Sequence, residues 1–489
     1  MGHRGRFQDL DLGNPQDDRS DRSDHGAAMS ELPAGLEAAC EVVPRDSAAV
    51  IVLRPGPRGR EVLLGLRSRR SRFMPGHWAF PGGVTDEQDR VGEPGARARC
   101  AARELAEETG LAVAADDLLE AGSRTTPPMF PVRFHTAFFV AEVDAGLGDL
   151  VPPGDEIERL LFERPRDVLS RWAKERWAVP PPVLPLLRAL ETNIDEPVER
   201  IVDALSAANT QEQRAPRIEF VPDIWMLPLR TVTMPPATTT NAWMPGGKRF
   251  VVIDPGSTEP AEQARLLEVI QRRCALGHTV DAVLLTHEHQ DHVSGAAALC
   301  AALNLPLRAH PAVLASTCVT AVERREALDD GVTIDLEGLT LRARYTPGHS
   351  PGHIAFEVVG QGTLIAGDLI SGISTILVEP STGSMGDYLD SLERMHARRY
   401  RTLFPGHGPP LPGKAFAELI DHRRRREAAL LDQIGTGRAA IAAIARVAYS
   451  GAARMPQALI ELQTLSHLVD LERRGIVRRI GDDRTWERT

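Results

Sequence analysis

The segment Thr286-His287-Glu288-His289-Gln290-Asp291-His292 follows an apolar run at 282–285 and packs four candidate ligands, His287, His289, Asp291 and His292, into six residues. A loop leaving a strand end turns successive side chains toward two neighbouring ions, and imidazole with carboxylate suits Zn²⁺. A lone histidine is more often a satisfied core or surface residue, so such a cluster requires distant partners. They follow in order: His349 after Tyr345-Thr346-Pro347-Gly348, Asp368 after Ala366-Gly367, and His407 within Phe404-Pro405-Gly406-His407-Gly408. Each lies beside glycine at the end of an apolar run, where a side chain projects from a rigid scaffold.

A chain of 489 residues exceeds one ordinary core, so two or three domains are expected. The net charge of -10 argues against a protein that coats nucleic acid by bulk electrostatics. No stretch has the length of a membrane span, and the amino terminus lacks the apolar core of a signal peptide, so residues 1–44 read as a disordered leader. Five scattered cysteines without CxxC spacing suggest no disulfide framework, which fits a reducing, cytoplasmic setting.

Apolar and β-branched runs at 48–53, 61–66, 134–143 and 157–162 surround one strong helical segment, Ala96–Thr109, and predict a first domain over 45–192. The polar stretch within 193–219 reads as a linker. Strand-like runs at 224–232 and 249–253 then alternate with helical patterns at 259–274 and 294–303, predicting an α/β domain over 220–420. Helical segments followed by a strand pair around Gly481-Asp482-Asp483 make 421–489 winged-helix-like.

The helical segment of the first domain places Glu104, Glu107 and Glu108 at i, i+3 and i+4, on one face. Like charges held together are best explained by a hard cation taking carboxylate oxygens, Mg²⁺ or Mn²⁺, with Arg103 offsetting part of the charge. A solvated acidic stripe is the plain alternative. Upstream, Phe80-Pro81-Gly82-Gly83 forms a turn suited to glycine, and Gly110 sits where the helix must stop.

Together these residues resemble the Nudix box, G-x5-E-x7-R-E-U-x-E-E-x-G-U with U aliphatic, whose second half is matched at every fixed position. The first half departs: Gly83 to Arg103 is six residues longer than the pattern, Gly95 stands where glutamate is expected, and Asp89 or Glu93 is left to substitute. The resemblance implies an α/β/α sandwich in which Gly83 and Gly110 border the cofactor-binding helix. It further implies that Glu104, Glu107 and Glu108 carry Mg²⁺ or Mn²⁺ while Arg103 assists cleavage of a diphosphate-containing small molecule. Asp155 or Glu156 is a candidate auxiliary base, with a charged strand edge as the plainer reading. Residues 64–69 and 74–80 are similar to the coenzyme A diphosphatase subgroup.

The second set resembles the HxHxDH…H…D…H signature of the metallo-β-lactamase superfamily, with Asp254-Pro255-Gly256 at its early turn. That implies an αββα sandwich, with His287, His289 and His349 on one zinc, Asp291, His292 and His407 on the other, and Asp368 bridging. Asp291 then doubles as proton acceptor, and His353 is expected to act as a hydrogen-bond partner and not as a ligand. The Asp387–Leu392 segment, the FPGHGPP turn and the tail are similar to the mitochondrial β-lactamase-like endoribonuclease. Single-stranded RNA is therefore a candidate substrate, with His422-Arg423-Arg424-Arg425-Arg426 either contacting it or forming a solvated face. A thioesterase of the glyoxalase II kind uses the same metal core and is the alternative at carbon. A further alternative makes the Nudix domain a nucleotide-binding module without turnover.

Overall fold

In the computed structural model, residues 40–71, 73–147, 150–435, 437–449, 457–481 and 484–489 are described. Most of the expected leader, and the turn residues Asp482 and Asp483, lie outside them. The strand Arg45–Gly56 organises the first half. Its side chains alternate, so Ala48, Val50 and Val52 pack on Cys100, Ala101 and Leu105 of the helix Ala96–Thr109. On the opposite face Ala49, Ile51 and Leu53 pack with Trp78, Phe80 and the helix Val183–Asn193. Two buried faces require a continuous apolar run, and the sequence supplies one. Antiparallel pairing to Gly59–Arg67 and parallel pairing to Phe134–Glu142 place this strand inside a seven-stranded sheet.

The second half stacks two sheets, one of seven strands and one of six. Trp243, Val251, Ile253 and Leu284 from the first meet Leu341, Ile354, Phe356 and Phe404 from the second in a shared core. The helices Pro260–Ala275 and Ala296–Leu303 cover the outer face of the first sheet, and Met385–His396 that of the second. The result is a layered helix–sheet–sheet–helix unit. At the carboxyl end, three helices pack on a three-stranded sheet that includes an unforeseen strand, Arg438–Ala440.

Two expectations are corrected. The stretch 193–219 is not an open linker, because Val198–Arg214 forms a helix against the first half. Its buried face includes polar residues with partners: Asn209 Nδ2 donates to the Ala121 carbonyl at 2.8 Å, and Glu212 pairs with Arg272 at 2.6 Å. The expected boundary at 420/421 also falls inside one helix, Ala415–Ile434. Phe416 and Ile420 belong to the core beneath the six-stranded sheet, while Leu430 and Ile434 belong to the carboxyl-terminal core. The two halves further meet along an aromatic seam, with ring centroids 6.3 Å apart for Phe73–Phe130 and 6.4 Å for both Phe130–Phe220 and Phe220–Phe404. Among the described residues no helix is long and apolar enough to cross a membrane.

Candidate functional site

Five loops at strand ends converge in the second half. They follow Arg249–Ile253, Thr279–Leu284, Thr340–Tyr345, Thr363–Gly367 and Thr402–Pro405. Close approach is possible because glycines line the loops. A Cβ on Gly256 would lie 1.7 Å from the Asp291 carbonyl oxygen, and one on Gly406 only 2.4 Å from Asp368 Oδ1.

The ligand atoms of His287, His289 and His349 lie within 4.8 Å of one another, as do those of His287, His292 and Asp368 and those of Asp291, His292 and His407. His292 Nε2 is 3.3 Å from His407 Nε2, and Asp368 approaches His292, His349 and His407 at 3.5, 3.6 and 3.4 Å. Every residue expected in this set is therefore in one cluster. His349 Nε2 and Asp368 Oδ1 are buried there with no hydrogen-bond partner among the described residues. Nitrogen and carboxylate oxygen donors, gathered and partly orphaned, fit a pair of borderline cations such as Zn²⁺.

The supporting hydrogen bonds are just as specific. Asp254, at φ 55°, accepts from the Thr286 backbone N–H at 2.8 Å and from its hydroxyl at 2.6 Å, and its second oxygen lies 2.8 Å from His292 Nδ1. His349 Nδ1 and His407 Nδ1 point at the Leu377 and Thr239 carbonyls, at 2.8 and 2.9 Å. Each arrangement leaves Nε2 facing the cluster. His353 Nε2 accepts from the Asp368 backbone N–H at 3.1 Å and stays outside the three groups. Spacing alone gave no signal for Thr286 or for the Leu377 carbonyl.

Burial lowers the His287 imidazole well below its usual range, and the neighbouring histidines reinforce the shift. Burial would also lower His407, but Asp368 and Asp291 outweigh it and raise that ring well above the ordinary value. Burial opposes ionisation of Asp368, yet His407 and His292 hold it well below the usual carboxylate range. The cluster is thus a dense, buried set of opposite charges.

In the first half, a Cβ on Gly83 would collide with the Glu104 carboxylate at 2.3 Å, which accounts for glycine there. Gly110, at φ 77°, closes the helix by donating to the Ala106 carbonyl. Arg103 Nη1 holds Glu104 at 2.8 Å and Glu107 at 3.0 Å, and Glu108 accepts from the Gly82 N–H at 2.9 Å. So tied, the three glutamates do not form a close ligand group among the described residues. Burial raises the carboxyl of Glu104 and pushes that of Glu108 up to about 7, with Glu156 contributing to both, so added positive charge would be stabilised here. Oxygen-only donors of this kind fit Mg²⁺ or Mn²⁺.

The lengthened loop before Arg103 folds into a short 3₁₀ turn, Glu87–Asp89. Asp89 is only 2% exposed and takes Arg103 bidentately at 3.0 and 2.9 Å. Glu93 is exposed, and its carboxylate pairs with Arg90 and Arg99, each at 4.0 Å. Of the two possible substitutes, Asp89 meets the arginine.

The tail's arginine run is not one solvated face. Arg423 is buried and donates to the Ile376 carbonyl, Arg426 lies 3.7 Å over the Tyr449 ring, and Arg424 pairs with Glu393 at 2.5 Å.

Residues 236–407 match the Metallo-beta-lactamase superfamily, and residues 43–187 match the NUDIX domain family. An atrochrysone carboxyl ACP thioesterase of Claviceps purpurea is 34% identical over 197 residues, 39% of this chain and 59% of the relative. A beta-lactamase-like protein 2 homolog of Drosophila melanogaster is 30% identical over 205 residues, 39% of this chain and 67% of the relative. The chain spans about three fifths of the length of the first curated relatives it matches, 59% and 63%. A crystal structure of a NUDIX hydrolase from Alicyclobacillus acidocaldarius aligns with 33% of this chain and 96% of its own, at 26% identity and a TM-score of 0.29. The chain joins a segment that matches the NUDIX domain family to a domain of the metallo-beta-lactamase superfamily, and through that second domain it belongs to the beta-lactamase-like family.

Proposed function

We propose that the chain hydrolyses two kinds of substrate at two separate metal centres. In the second domain, His287, His289 and His349 would hold one zinc ion and Asp291, His292 and His407 a second, with the Asp368 carboxylate available to both. When bound, such a pair supplies a hydroxide at neutral pH and polarises the group under attack. Asp291 accepts the proton of the nucleophilic water. Thr286 and Asp254 keep His287 and His292 aligned, and His353 orients Asp368 through its backbone N–H. The observation that carries this reading is the overlap of three ligand groups in one buried cluster, within which His349 Nε2 and Asp368 Oδ1 are left without hydrogen-bond partners among the described residues.

The substrate we favour there is a thioester. Three relatives carry thioesterase in their names, and their likeness spans 39 to 47% of this chain. The phosphodiester reading, with single-stranded RNA as partner, starts from the likeness to the endoribonuclease over Asp387–Leu392, the FPGHGPP turn and the tail; of the tail's arginine run, Arg423 and Arg426 are packed within the fold and Arg424 pairs with Glu393 at the surface. In the first domain, Glu104, Glu107 and Glu108 take Mg²⁺ or Mn²⁺ and Arg103 orients them for cleavage of a diphosphate. A binding module without turnover is the second reading there, favoured by the Arg103 contacts to Glu104 and Glu107. The zinc-loaded chain, supplied with Mg²⁺, is to be offered an acyl-pantetheine thioester, a single-stranded RNA and a dinucleotide diphosphate. Turnover of the thioester and the diphosphate is expected. Cleavage of RNA without thioester turnover overturns the carbon assignment, and a silent diphosphate arm makes the first domain a binding module.

A further inference from the structure

The carboxyl-terminal helices lie behind the metal cluster, and their polar groups point inward. His349 Nδ1 is held by the Leu377 carbonyl at 2.8 Å, so the ring's orientation depends on where residues 376–378 sit. Both peptide groups flanking Leu377 are held from the tail. Arg423, 2% exposed on the helix Ala415–Ile434, donates to the Ile376 carbonyl. Gln463, 4% exposed on the helix Gln457–Arg473, accepts from the Val378 N–H at 3.4 Å.

A second route reaches the same loops. The Arg423 guanidinium lies 5.5 Å from the centre of the Tyr388 ring, and the Tyr388 hydroxyl donates to the carbonyl of Leu369, next to Asp368, at 2.9 Å. Gly348, next to His349, packs so closely on this helix that a Cβ there would lie 2.3 Å from the Tyr388 backbone nitrogen. The tail presses on the start of the same helix, with Arg473 Nη1 donating to the Ser384 hydroxyl at 3.2 Å. A buried arginine that gives a donor to a neighbour's backbone fixes that backbone, because its desolvation is offset in part only while that contact holds.

We infer that the carboxyl-terminal module is a support for the metal centre, in which Arg423 and Gln463 act as positioning residues for His349 through the segment 376–378. This rests on the metal-centre reading above. His287, His292 and His407 donate from Nδ1 to the Thr286 hydroxyl, the Asp254 carboxylate and the Thr239 carbonyl, on elements the tail does not touch through these contacts. The effect is therefore larger for the ion that His349 serves, Asp368 being the one shared residue that the second route reaches.

The test uses the full chain, loaded with Zn²⁺ or Co²⁺ and titrated with a chelator. The parent is expected to release two ions per chain. Arg423→Ala is expected to weaken one of the two by about ten- to hundred-fold, the usual cost of losing a ligand's hydrogen-bonded support, and to leave the other within about two-fold. Its Co²⁺ absorption spectrum should match that of His349→Ala, and Arg423→Lys, which keeps a donor for the Ile376 carbonyl, should restore both. Gln463→Leu, which removes only the acceptor for Val378, should shift the same ion by a smaller factor and decides the matter if Arg423→Ala does not fold. Two ions held as in the parent, or both weakened equally, overturns the inference. A parent chain that binds no metal overturns the metal-centre reading itself.

Discussion

Asp89→Asn isolates what the lengthened loop contributes. The substitution keeps size and one acceptor, so the Asp86 N–H that bonds Asp89 Oδ2 at 3.0 Å can retain its partner. What is lost is the charged half of the bidentate contact to Arg103. Breaking a buried ion pair from one side costs about 3–5 kcal/mol when the remaining charge has no other partner. Here Arg103 keeps Glu104 at 2.8 Å and Glu107 at 3.0 Å, and its side chain is 17% exposed, so a cost just below that range, about 2–3 kcal/mol, applies. Asp89→Ala also removes the capping acceptor and should cost about 1 kcal/mol more. Glu93→Gln, whose contacts are exposed and at 4.0 Å, should change stability by less than about 0.5 kcal/mol. Amide hydrogen exchange across Ala96–Thr109 reads the local stability directly, and diphosphate turnover reads the position of Arg103. If Asp89→Asn leaves both unchanged while Glu93→Gln lowers them, Asp89 does not stand in for the missing glutamate.

Two further outcomes follow from individual contacts. Gly406→Ala should lower zinc content sharply with little loss of secondary structure, because its Cβ would lie 2.4 Å from Asp368 Oδ1 and 2.7 Å from His292 Cε1; full zinc content by elemental analysis would refute this. His467, buried on the helix Gln457–Arg473, has its imidazole lowered to about 3 by burial, with Arg423 and Arg426 adding to the shift. The folded state therefore binds this proton more weakly than the unfolded chain, so the stabilisation is complete above the unfolded value near 6.5 and is lost as pH falls toward 3. Between pH 7 and pH 5 the carboxyl-terminal module should lose about 2 kcal/mol, and His467→Leu should remove that part of the acid sensitivity in urea melts at the two pH values.

Legibility in the sequence tracks how local the determining interaction is. The zinc-type cluster is readable because four of its residues lie within six positions of one another and the rest sit beside glycines at strand ends. The helix Ala96–Thr109 is readable in its bounds, because Gly95 and Gly110 punctuate it. Val198–Arg214 is not, since its buried face includes Asn209 and Glu212, whose partners lie far away at Ala121 and Arg272. The same holds for the arginine run. Local composition suggests a solvated stripe, yet the partners that draw Arg423 inward, Ile376 and Tyr388, come from another part of the chain. The choice between Asp89 and Glu93 was open for a related reason, because it depends on a single 3₁₀ turn that periodicity does not encode.

The central claim is that two hydrolytic centres, built on different domains, work in one chain. The most direct measurement is a crossed activity assay on the full-length protein with Zn²⁺ and Mg²⁺ present, comparing the parent with Asp291→Asn and with the pair Glu107→Gln, Glu108→Gln. Asp291→Asn should abolish thioester turnover and leave diphosphate cleavage within about two-fold, and the glutamate pair should do the reverse, because each centre draws its ligands from its own domain. Loss of both activities in either folded variant, or a parent chain inactive on both substrates with its metals bound, would contradict the account.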